Sequence, residues 1–293
     1  MKRQNFMVLY LVENRLFLLL SMYAVSFLLC FLLSALMPAK GENLYLLLLL
    51  LSLVAHYLPL LFFLRSEEGR HASLGMTRVK KAFLPELFLL CAAAFLLGTG
   101  GALFYHARIF PTALYGTVPF PREFSFLSFL ALVLFSSFCE ELLVRGALQT
   151  YFRSFGSVTA LFASACFSAA FGFSLLSLPF WLLMGAVCAV ARDRTATLFS
   201  SLACAVLGRL GIYLASLSVW QSVCDAVGTV LFSLLLVGAA VLCVVCALVA
   251  GRHKKKQRGY VEADGGKQRF AVVLSAMAAL GLSIGASFLI SII

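Results

Sequence analysis

Charge is scarce in this 293-residue chain: only 12% of residues are Asp, Glu, Lys or Arg, and just 12 are acidic. No stretch is polar enough over enough length to form a separate soluble domain, and the longest polar segments, 65–81 and 251–269, are the size of loops. Histidine is equally thin, with four in all, and no Cys or His spacing matches a zinc site. Cys243 and Cys246 form a lone C-x-x-C inside an apolar run, and no second ligand pair accompanies them. Neither a metal nor another cofactor is expected. No fixed-period repeat is visible, although a weak inverted repeat of the transporter kind stays open.

What fills the chain instead is hydrocarbon. Hydrophobic residues make up 62%, and mean hydropathy is +1.02. Apolar runs near 16–37, 44–64, 83–105, 124–149, 157–175, 177–191, 196–218, 227–250 and 270–292 are read as helices crossing a core about 30 Å thick. The fifth and sixth are separated only by Ser174 to Ser177, so eight or nine spans are expected. Open strands cannot satisfy their backbone groups in lipid, which leaves an all-α, polytopic transmembrane helical bundle. The first run starts after Arg15 and continues without a small-residue cleavage site, so it reads as a retained span.

The net charge of +11 does not point to nucleic acid, because of where the charge sits. With the N-terminus inside and nine spans, eighteen Lys and Arg fall on the cytoplasmic side against three outside, Lys40, Arg108 and Arg122. That asymmetry sets an orientation with a cytoplasmic N-terminus, in a multi-pass protein expected in the plasma membrane. The Arg252–Lys256 cluster then reads as a topology anchor touching anionic lipid. Membrane lipids are the expected partners, and nucleic acid is not one.

Cys30, Cys91, Cys166, Cys188, Cys204, Cys243 and Cys246 lie within spans, where a thiol packs as a small hydrophobe. Cys139 has no histidine near it in sequence to make a nucleophile and is also read as packing. His71 and His253 fall in loops and His106 at a span end; His56, within a span beside Tyr57, reads as a satisfied intramembrane histidine.

The exception to the apolar rule is Ser136 to Gly146, where Glu140 and Glu141 are followed by Arg145. Ionisable groups inside the hydrocarbon layer are expensive and mark functional sites by default. Glu141 and Arg145 are four apart and share a helix face, so they are expected to pair. Glu140 lies about 100° round an α-helix from Glu141, so it is expected to face elsewhere. A salt bridge snorkelling to water explains the first pair but not the second carboxylate.

Glu-Glu-Leu-Leu-Val-Arg-Gly at 140–146 resembles the E-E-x-x-x-R signature of the CPBP family of intramembrane endopeptidases, the CAAX-prenyl-protease and bacteriocin-processing (Abi) proteins. The segment Gly146 to Gly156 is similar to that family's basic, aromatic turn; Phe162 to Phe173 takes the place of its F-x-x-x-H motif. Arg194 to Leu202 resembles the approach to its H-x-x-x-N motif. The likeness covers Phe124 to Leu217, which divides the chain into N-terminal helices (1–123), a CPBP/Abi-like core (124–217) and C-terminal helices (218–293).

The resemblance implies that Glu140 activates water for peptide hydrolysis near the membrane, with Glu141 and Arg145 completing the site. It also implies two assisting histidines and an asparagine at the oxyanion, and here the chain departs. Phe171 and Ala205 replace the histidines, and Arg209 replaces the asparagine. Phenylalanine and alanine neither transfer protons nor donate strong hydrogen bonds. Removing one oxyanion donor typically costs about 10²–10³ in rate. Two roles are open for Arg209, an oxyanion donor or a counter-ion to Glu140. The expectation is an endopeptidase-like protein of impaired catalysis, acting on a peptide or lipidated protein. The alternatives are a non-catalytic scaffold of the same fold and a small-molecule transporter.

Overall fold

The computed structural model describes residues 75–108, 123–171, 178–217 and 226–252, with isolated helical residues between 46 and 65 and between 273 and 281. The described residues contain helices and no strand. We number the helices α1 (Leu84–Arg108), α2 (Phe126–Phe152), α3 (Ser157–Phe171), α4 (Leu178–Thr195), α5 (Leu198–Ser216) and α6 (Ala226–Arg252).

Among the described residues, four segments are long and apolar enough to cross a membrane: Lys81–Phe104, Phe126–Phe152, Leu198–Ser216 and Leu231–Leu248. The expected spans at 157–175 and 177–191 are separate helices of 15 and 18 residues. At 1.5 Å per residue α3 is about 22 Å long, short for a 30 Å layer. Helix α4 closes on Arg192, Asp193 and Arg194, which keeps its last turn polar. The expected span 16–37 lies outside the described residues, and those at 44–64 and 270–292 lie largely outside them, so the count of eight or nine is not reproduced. Four apolar helices of this kind, in a chain of this composition, make it an integral membrane protein.

Side-chain contacts fix how the helices run. Arg145 and Gln149 of α2, and Arg153 just beyond its end, donate to the backbone oxygens of Gly185, Ala189 and Asp193 of α4, at 2.7, 3.0 and 3.2 Å. Each step of four on α2 is matched by a step of four on α4, so these two helices are parallel. Ser128 meets Tyr213 while Glu140 meets Arg209, so α5 runs antiparallel to α2. Helix α1 runs parallel to α5: Cys91 meets Cys204, Gly98 meets Gly208, and Gly211 lies against Phe95 and Thr99.

Association of helices in lipid relies on close packing and polar contacts, because lipid tails are as apolar as leucine. Helices α1 and α5 approach through glycine, and a Cβ on Gly98 would overlap the Gly208 carbonyl oxygen. Around this seam Leu90, Ala94, Leu97, Met184, Cys204 and Ile212 form one buried core. A second core joins the C-terminal half of α2 to α3, with Phe152 stacked on Phe167 at 5.9 Å. Helix α6 packs on α1 through Gly100, which lies against Ser233, Leu236 and Val237. Its other side leaves Leu231, Leu234, Leu235 and Leu242 exposed, as suits a lipid-facing surface.

Candidate functional site

Two stretches of α2, Leu130–Phe135 and Leu142–Leu148, are π-helical and flank the glutamates. Such bulges concentrate at functional sites and bond i to i+5 instead of i+4. Two hydroxyls follow that wider spacing: Ser136 donates to Ala131 O at 2.8 Å, and Thr150 to Arg145 O at 3.5 Å. The widening corrects one expectation from sequence. Glu140, which an α-helix turns away from Arg145, is brought to it as the i+5 partner.

Arg145 is fully buried and is held through both of its terminal nitrogens, while its Nε has no hydrogen-bond partner among the described residues. Its Nη1 lies 3.1 Å from Glu141 Oε1 and 3.5 Å from Glu140 Oε1. The same nitrogen donates to the Ser168 hydroxyl of α3, and Nη2 donates to Gly185 O of α4 at 2.7 Å. A guanidinium in lipid needs this many acceptors to repay its lost hydration. One arginine thereby ties α2 to α3 and α4.

Arg209 comes from the opposite side. Its Nη2 donates to Glu140 Oε2, its Nη1 reaches Leu132 O at 3.4 Å, and its guanidinium carbon sits 5.4 Å from the Trp181 ring centre. Glu140 therefore has an arginine at each carboxylate oxygen. Glu141 engages Arg145 through Oε1, while its buried Oε2 has no hydrogen-bond partner among the described residues. Both glutamates and both arginines are buried.

The structure thus gathers Glu140, Glu141, Arg145 and Arg209 into one cluster. Ala205 is buried on α5 one turn before Arg209. Phe171 ends α3, and its side chain lies outside those described, as do the side chains of all four histidines. No group of His, Cys, Asp or Glu suited to a metal is present among the described residues. Cys139 is buried beside the glutamates.

Sequence reasoning missed Ser168, Gly185 and Trp181. Ser168 follows the phenylalanine of the second motif-like segment, so its place on the facing helix was open to inference. Gly185 carried no signal. It matters because a Cβ there would press on Ser168 and Ala165, so only glycine lets α3 and α4 close behind Arg145. Chemically, a general base needs a carboxylate oxygen that a water can approach and that can take its proton. At Glu140 both oxygens are already engaged.

Comparison with known proteins bears on the same segment. Residues 122–211 match the family model described as Type II CAAX prenyl endopeptidase Rce1-like. The match spans α2, α3 and α4 and most of α5, and so includes both ends of the Glu140–Arg209 contact. This segment is therefore similar to the Rce1-like proteins of the CPBP family. No match is found among curated proteins or solved structures.

Proposed function

We propose that this membrane protein keeps the endopeptidase-like CPBP core to bind a membrane-proximal or lipidated peptide, and that its glutamate site does not hydrolyse it at an appreciable rate. The observation that carries this reading is Glu140 bridged by Arg145 and Arg209 from two different helices. Activation of water requires Glu140 to accept a proton, and each of its oxygens already accepts from a guanidinium. Freeing Glu140 means breaking a buried ion pair, which costs about 3–5 kcal/mol. At about 1.4 kcal/mol per tenfold, that alone slows catalysis by two to four orders of magnitude.

The test uses the full chain in lipid vesicles with a fluorogenic prenylated peptide. Wild type and Glu140→Gln should release fluorophore at the same background rate, while both retain saturable binding of the peptide. Cleavage by wild type that Glu140→Gln abolishes would establish the enzyme. Absence of peptide binding would remove the binding role.

A further inference from the structure

Away from the glutamates, α1 and α5 bring two free thiols into contact. The sulfur atoms of Cys91 and Cys204 lie 3.7 Å apart, although the residues are separated by 113 positions in the chain. Their helices are parallel and glycine-packed at Gly98 and Gly208, so the backbones beside the thiols are held close. A disulfide needs sulfurs about 2.05 Å apart and Cα atoms within about 4.4–6.8 Å. The two sulfurs, in contact at 3.7 Å between closely packed helices, have little distance left to close. Cys204 is fully buried, whereas Cys91 is only partly so.

We propose that Cys91 and Cys204 are an oxidation site, closed to a disulfide by a lipid-soluble two-electron hydrogen acceptor of the diazene class. With a diazene, the Cys91 sulfur adds to one nitrogen of the N=N bond and its proton passes to the other. The Cys204 sulfur then attacks the Cys91 sulfur, breaks the S–N bond and releases its own proton to the departing nitrogen. The products are one disulfide and one hydrazine, so the two thiols lose two electrons and two protons and the diazene gains both. The attack has the required direction because the two sulfurs are neighbours and no other atom need move between them. Cys91 is the entry point because it is the less buried of the two.

The bond would tie α1 to α5 five residues before Arg209, the residue that reaches Glu140. Cross-linking residues far apart in sequence also restricts the unfolded chain, which stabilises the native state. Cys188 of α4 lies in the same buried core as Cys204, against which Cys91 packs, and is the competing partner.

The experiment treats the full-length wild-type protein in lipid nanodiscs with diamide, alkylates the remaining thiols and maps the peptides by mass spectrometry. A Cys91–Cys204 cross-linked peptide, together with a higher unfolding midpoint that dithiothreitol reverses, is the expected result. Cys91→Ser and Cys204→Ser should each prevent the cross-link. Full alkylation of both cysteines after diamide, or a disulfide from Cys188 to either, would overturn the proposal. An unchanged midpoint despite the cross-link would overturn the locking of α1 to α5. The wild-type mapping stands whether or not a serine variant folds.

Discussion

Arg209 and Glu140, 69 residues apart, form a single buried contact between antiparallel helices. Two costly burials are met by one interaction, and each residue therefore becomes a liability without the other. Arg209→Ala leaves Glu140 facing apolar side chains on that side, and a loss of about 3–5 kcal/mol is expected. Replacing both, as Glu140→Leu with Arg209→Met, should recover most of it, since apolar substitution of a buried pair is often neutral. Thermal unfolding in detergent of Glu140→Leu, Arg209→Met and the double variant closes the cycle. Simple additivity of the two losses would show that the residues are not coupled.

Arg145 is a junction more than a partner. It serves Glu140, Glu141, Ser168 and Gly185 at once, which needs a planar fork of donors. Lysine keeps the charge but offers one compact ammonium. Arg145→Lys should therefore destabilise the protein nearly as much as Arg145→Ala, by about 3 kcal/mol or more. A melting temperature for Arg145→Lys close to that of wild type would mean that charge alone suffices.

Why some of this was legible in the sequence and some was not follows from the range of each interaction. Helical character came from apolar run length, and the Glu141–Arg145 pair from a spacing of four; both are local. The approach of Arg209 to Glu140 is not local, and it came from the family likeness and the need of a buried arginine for an acceptor. What the sequence hid was backbone register. The π-helical stretch at 142–148 moves Glu140 onto the face of Arg145, and nothing in the composition of Leu-Leu-Val-Arg-Gly-Ala-Leu announces it. Acceptors such as Gly185 O are backbone atoms, which every residue carries, so side-chain identity cannot single one out.

Gly98 and Gly238 offer a paired test of the helix packing. A Cβ on Gly98 meets the backbone of Gly208, which cannot swing aside, whereas one on Gly238 meets nothing within 4 Å. Gly98→Ala should cost about 1–3 kcal/mol by forcing α1 from α5. Gly238→Ala should be neutral or gain up to about 1 kcal/mol from helix propensity. Equal effects of the two substitutions, read as detergent unfolding midpoints, would contradict the close approach of α1 and α5.

Ala196, in the turn joining α4 to α5, has a backbone φ of 59°, and it is a non-glycine residue in the left-handed region. Its position just beyond Thr195 is where helices most often place glycine, because a Cβ there crowds the carbonyl. The conformation is nonetheless fixed by its surroundings. Ala196 N donates to Arg192 O at 3.0 Å and Leu198 N to Gly75 O at 2.9 Å, while Thr197 caps α5 by accepting from Phe199 N at 3.2 Å. Each of these bonds is independent of the Ala196 side chain. Ala196→Gly should therefore keep the turn and relieve a cost of about 1–2 kcal/mol, offset in part by the greater freedom of glycine in the unfolded chain. A net gain of about 0.5–1 kcal/mol is expected, and Ala196→Val, with its branched Cβ, should lose more than that. The comparison is of three unfolding midpoints in one detergent, and the expected order is glycine above alanine above valine. Valine equal to or above glycine would mean that the turn relaxes out of the left-handed region, taking with it the anchor of Gly75 on Leu198.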